Sequence, residues 1–257
     1  MKINRHIFDN GLRLVHSQDE STQMVALNVL YNVGARDEHP EHTGFAHLFE
    51  HLMFGGSVNI PDYDMPLQLA GGENNAWTNN DITNYYLTVP KPNVETAFWL
   101  ESDRMLELAF SEQSLEVQRG VVMEEFKQRC LNQPYGDVGH LFRPLAFRVH
   151  PYRWPTIGKE LSHIEQATLD EVKSFFYRFY APNNAVLAVT GNISWDETVK
   201  LTEKWFAPIP RRDVPVRQLP QEPEQTQERR LTVERNVPLD ALFMGYHMCS
   251  REGADYY

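Results

Sequence analysis

Hydrophobic and polar positions alternate along the chain in short strand-like runs separated by longer helical stretches. Residues 6–16 read as two short strands joined at Asn10-Gly11, a dipeptide suited to the positive φ of a tight hairpin turn. From Met24 to Val33 the run Met-Val-Ala-Leu-Asn-Val-Leu-Tyr-Asn-Val is rich in β-formers and shows no clean alternation. Such a flat run predicts a strand buried on both faces of a helix-covered sheet. A short helix is expected over 43–54, stopped by Gly55-Gly56, and a single further strand from Ala76 to Val89. Two amphipathic helices follow over about 92–109 and 112–131, the second ending before Pro134-Tyr135-Gly136. Thr168 with Glu171 and Ser194 with Glu197 have the spacing of capping boxes and announce two later helices. Between them Ala185–Gly191 reads as a buried strand. The expected fold class is α+β, a largely antiparallel sheet with helices packed on one side.

The pattern changes after residue 206. Prolines at 208, 210, 215, 220 and 223 stand among Gln, Glu and Arg, which reads as a linker over 207–230. The expected organisation is a first domain over 1–206, the linker, and the start of a second, homologous domain over 231–257. The apolar run Asp240–His247 is expected as a strand, either the first of that second domain or one completing the first sheet. The paired arginines Arg211-Arg212 and Arg229-Arg230 read as solvated linker charge.

Composition narrows the function classes. Hydrophobic residues make up 42% of the 257 positions, enough for a real core. Lys+Arg number 24 against 35 Asp+Glu, a net charge of −11 that would repel a phosphate backbone, so nucleic acid is not an expected partner. No run of 18 apolar residues is present, so no membrane-spanning helix is expected. The start lacks a basic region followed by an apolar stretch, and the expected location is cytoplasmic. Cys130 and Cys249 are too few for a disulfide framework or a four-cysteine zinc site.

Candidate chemistry concentrates in the helix at 43–54. From Gly44 to Phe54 its only polar side chains are His47, Glu50 and His51, and a helix that is otherwise apolar all round is a buried helix. At 100° per residue, Glu50 and His51 lie about −60° and +40° from His47, so all three share a face. A buried carboxylate between two imidazoles calls for a cation, and Zn²⁺ suits this donor set. His-x-x-Glu-His is also the inverted zincin motif, with roughly 0.03 chance matches expected in a chain of this composition. A catalytic zinc takes three protein ligands, and the best candidates for the third are the adjacent Glu124 and Glu125 in Val-Val-Met-Glu-Glu-Phe. Only one of them can face the metal, and spacing alone does not choose.

With this motif pair the chain resembles the pitrilysin-type zinc metallopeptidases, the family of insulin-degrading enzyme and mitochondrial processing peptidase. Further matching landmarks are Gly71-Gly72-Glu-Asn-Asn75-Ala76-Trp-Thr78, Thr83-Asn-Tyr85, His150-Pro-Tyr152, Gly158, Tyr180-Ala-Pro-Asn-Asn184 and Gly191-Asn192. The resemblance implies a metalloendopeptidase acting on peptides or unfolded protein segments, with one Zn²⁺ held by His47, His51 and Glu125. Glu50 is implied as the general base that activates the zinc-bound water. Asn75 and Ala76 are implied to grip the substrate as an added strand beside the scissile bond. Glu124 and Gln118 are implied to stand behind the ligands. Gln118 falls where the family usually carries Glu, and an amide there hydrogen-bonds without charge. The family pairs two homologous domains or subunits, the second contributing an Arg and a Tyr toward the reacting carbonyl. This chain therefore reads as the metal-bearing half, weakly active or inactive alone. The competing expectation is a non-catalytic scaffold or partner subunit of a peptidase pair.

Overall fold

In the central strand, side chains of one parity are buried and those of the other are half-buried. A computed structural model describes residues 2–251 and 253–256. The hairpin forms as β1 (Asn4–Ile7) and β2 (Arg13–Gln18), followed by β3 (Met24–Tyr31). Val25, Leu27, Val29 and Tyr31 of β3 are fully buried, whereas Ala26, Asn28 and Leu30 are half-buried. The expectation of a strand buried on both faces is thus corrected. Apolar residues at both parities hide an alternation in which one face meets the helices.

The chain continues through α1 (Phe45–Leu52) and α2 (Asp64–Leu69) to β4 (Glu73–Thr78) and β5 (Thr83–Pro90). The expected single strand from Ala76 to Val89 is therefore two. The Asn79 side chain accepts the backbone N–H groups of Asp81 and Ile82, closing a turn that folds β4 back onto β5. Next come α3 (Val94–Leu106) and α4 (Glu112–Phe126), the latter running on as a π-helical turn over Lys127–Leu131. Helix α5 (Val138–Ala146) was not expected, because Gly139 and Pro144 break its pattern. Helices α6 (Leu161–Glu165) and α7 (Leu169–Phe179) precede β6 (Ala185–Gly191) and α8 (Trp195–Trp205). Thr168 and Glu171 form the reciprocal capping box, and Ser194 accepts the Glu197 N–H.

The sheet order is β1-β2-β6-β3-β5-β4. Every neighbouring pair is antiparallel except β2–β6, so the sheet is mostly antiparallel as expected, and β4 is an edge. Helices α3 and α8 pack on its buried face, and α1 lies against β4, α4 and α7.

The segment Asp240–His247 forms no strand. It has no neighbouring strand to satisfy its backbone, and Leu242, Met244 and Tyr246 stay exposed. Its contacts include α5, where the His247 ring bonds the Ala146 carbonyl at 2.7 Å, and the rings of Tyr135 and Phe147 beside that helix. Not all the linker arginines are solvated charge. Arg212 bonds the carbonyls of Tyr180, Met105 and Leu106, and Arg229 bonds that of Leu145. Among the described residues no helix is long and apolar enough to cross a membrane.

Helix α1 is fixed at both ends of its buried face. Phe49 stacks on Phe175 and Tyr180, and its carbonyl accepts the Tyr85 hydroxyl at 3.1 Å. The helix begins at Gly44, at φ +89°, where an added Cβ would lie 2.8 Å from Ile164 Cδ1 and 2.9 Å from the Ile157 carbonyl. With no side chain at that cap, Glu38 takes its place. Its buried carboxylate accepts the N–H groups of Gly44 and Ala46, both at 2.9 Å. Burial pushes the Glu38 carboxyl up to about 8, while the two amides pull it down. Replacing Glu38 with Ala should cost on the order of 1–3 kcal/mol in denaturant unfolding, since it leaves two buried backbone donors without their acceptor. Phe49→Ala should cost about 3–5 kcal/mol by the same measurement, through the cavity left between α1 and α7.

Candidate metal centre

Helices α1 and α4 bring three donors together. His47 is buried, and His51 one turn on is half-buried, with their rings 4.9 Å apart and nearly perpendicular. Across from them Glu125 projects from α4, its Oε2 lying 3.5 Å from His47 Nε2 and 3.3 Å from His51 Nε2. One ligand atom from each of the three residues falls within 4.8 Å of the others. Donors bound to a tetrahedral zinc at about 2.0–2.2 Å stand about 3.3–3.6 Å apart, which the two carboxylate–imidazole distances match.

The electrostatics suit a cation as well. Burial pushes His47 down to about 4 against the pull of Glu125, which leaves the ring neutral at pH 7. Its Nδ1 is buried without a hydrogen-bond partner, and Nε2 is the atom that faces Glu125. A neutral imidazole is the form that binds metal. A hydrogen bond from His51 and the nearby Arg129 guanidinium hold the Glu125 carboxyl below the usual range against its partial burial. Two imidazoles and one carboxylate form a nitrogen–oxygen donor set that suits zinc.

Glu50 lies on the same helix between the two histidines and is half-buried. Burial raises its pKa, while the Thr78 hydroxyl and the charge of His51 favour the carboxylate and Glu125 opposes it. Thr78, buried at its hydroxyl and without a fully formed hydrogen bond, ends β4 beside Glu50. A carboxyl raised toward neutrality beside a metal site is suited to proton transfer.

The other expected site residues divide. Asn75 and Ala76 do lie on the free edge strand β4, Asn75 exposed and Ala76 half-buried. The Ala76 N–H is taken by Asn75 Oδ1 at 2.8 Å rather than by a neighbouring strand. Gln118 is half-buried on α4, and its amide has no hydrogen-bond partner among the described residues. Glu124 does not stand behind the ligands. It turns to solvent and pairs with Lys127 at 3.6 Å, because neighbours on a helix diverge by about 100°. The residues that sequence reasoning missed are Glu38, Thr78 and Arg129. Arg129 Nη1 forms an ion pair with Glu125 Oε1 at 2.9 Å, and its i+4 spacing from Glu125 was the available signal. No local pattern marks Glu38 or Thr78, which reach the site through the fold.

Comparisons with known proteins point to one family. Residues 13–141 match the family described as Insulinase (Peptidase family M16), and residues 166–257 match the Peptidase M16 inactive domain. The chain is 32% identical over 243 residues to the zinc protease PqqE of Helicobacter pylori, covering 92% of this chain and 54% of that protein. It is 30% identical over 206 residues to the uncharacterized zinc protease YmxG of Bacillus subtilis, covering 79% of this chain and 50% of the relative. The crystal structure of a protease from Helicobacter pylori superposes with a TM-score of 0.83 at 32% identity, covering 87% of this chain and 55% of that one. The chain thus spans about half the length of the curated relatives it matches. By its sequence matches and its fold, it belongs to the insulinase (M16) family of peptidases.

Proposed function

We propose that this chain is the metal-bearing half of a zinc metalloendopeptidase that cuts peptides or unfolded protein segments. The observation that carries the proposal is the convergence of His47, His51 and Glu125 from two helices, with Glu50 beside them. A zinc ion held there would supply Lewis acidity toward water and toward the substrate carbonyl. Glu50 takes the proton of the attacking water and returns it to the leaving amine, a task suited to a carboxyl raised by burial. A substrate segment lies along β4 as an added strand, displacing the Asn75 side chain from the Ala76 N–H. Asn75 and Ala76 then hold the scissile bond over the metal helix.

In this proposal residues 1–206 form the metal-bearing domain, 207–230 link, and 231–257 begin a second homologous domain. The proline-rich stretch over 207–230 is what suggests that division, and the chain's covering about half of each relative fits its being the metal-bearing half. The second domain, or a subunit carrying it, contributes groups that stabilise the reacting carbonyl, so the chain alone hydrolyses slowly. All four metal-site groups are present, which favours the peptidase over the scaffold alternative.

Two outcomes test this reading. Glu50→Gln should retain zinc while peptide hydrolysis, measured with a quenched fluorescent peptide and the completing domain present, falls by about 10²–10⁴. Undiminished turnover would remove Glu50 from the chemistry. Glu125→Gln should lose most zinc affinity in a metal-buffer titration, whereas Glu124→Gln should keep it. The reverse order would make Glu124 the ligand.

A further inference from the structure

The Glu125 carboxylate uses its two oxygens differently. Oε2 faces both histidines, at 3.5 and 3.3 Å, while Oε1 forms an ion pair with Arg129 Nη1 at 2.9 Å. Arg129 stands four residues on, in the π-helical turn that extends α4. The backbone at that turn is itself held. The Arg129 carbonyl accepts Gln133 Nε2 at 2.6 Å, and Gly136 lies so close that an added Cβ would fall 2.5 Å from that carbonyl oxygen. The turn that ends the helix therefore fixes where the guanidinium begins, and Glu125 is the carboxylate it meets.

We propose that Arg129 is a positioning residue that restricts Glu125 to one metal-facing oxygen. A carboxylate with both oxygens free can close on a cation with both, adding a fourth protein donor atom and crowding the place a water must take. With Oε1 engaged in an ion pair, Oε2 is the oxygen presented to the histidine side. Arginine suits the task because its charge persists at every working pH. Its side chain is 68% exposed, so replacing it removes this contact without opening the core.

The proposal rests on the zinc-site reading, and the test separates the two. Wild type, Arg129→Ala, Arg129→Lys and His47→Ala are titrated with Zn²⁺ in a metal buffer and with Co²⁺ followed by visible absorption, with circular dichroism of each metal-free protein as a folding control. Arg129→Ala should bind zinc about tenfold more weakly. Its Co²⁺ bands should lose intensity, as a four-coordinate centre does on gaining a ligand, and Arg129→Lys should recover part of the affinity. Zinc affinity and Co²⁺ spectrum both unchanged in Arg129→Ala, with wild type binding metal and His47→Ala not, would overturn the role of Arg129 alone. Wild type and His47→Ala both failing to bind would overturn the metal site itself.

Discussion

Helix α1 is packed among the rings of Phe175, Tyr180 and Tyr85, and three polar side chains nevertheless share one of its faces. That juxtaposition is the constraint on which the centre depends. A half-buried carboxylate and two imidazoles in apolar surroundings are costly unless something compensates them. The fold answers by bringing α4 across, so that Glu125 meets both histidines from the opposite wall. The group that results sets one carboxylate against two imidazoles, a donor set a divalent cation stabilises.

Much of the surrounding architecture holds that helix in place. Glu38 closes its N-terminus through two backbone amides, and the Gly44 start admits no side chain. Phe49 anchors the opposite face to α7, and the Tyr85 hydroxyl ties it to the sheet. The edge strand β4 ends at Thr78 beside Glu50, so the place where a peptide would add lies next to the candidate proton acceptor. Position of the helix and access along the sheet edge are thus set by the same few contacts.

The metal helix was legible because its polar residues stand alone in an apolar run, and helical geometry alone puts them on one face. The choice between Glu124 and Glu125 was not, since it depends on how α4 is rotated against α1. The strand from 76 to 89 was read as one because apolar and β-branched residues flank Asn79-Asn80-Asp81, though that cluster is itself a turn signal. Helix α5 was hidden by Gly139 and Pro144. The run at 240–247 has the composition of a strand but no neighbour to pair with, and pairing is a property of the fold. Arg212 looked like linker charge, yet it bonds three carbonyls from distant segments. Contacts of that kind leave no local pattern to read.

The central claim is that the three donors form a metal site within this chain. Its most direct test is the zinc-to-protein ratio after equilibrium dialysis of the purified chain against buffered zinc. The account predicts a ratio of about one. A ratio near zero would contradict it, whatever the fold or the relatives suggest.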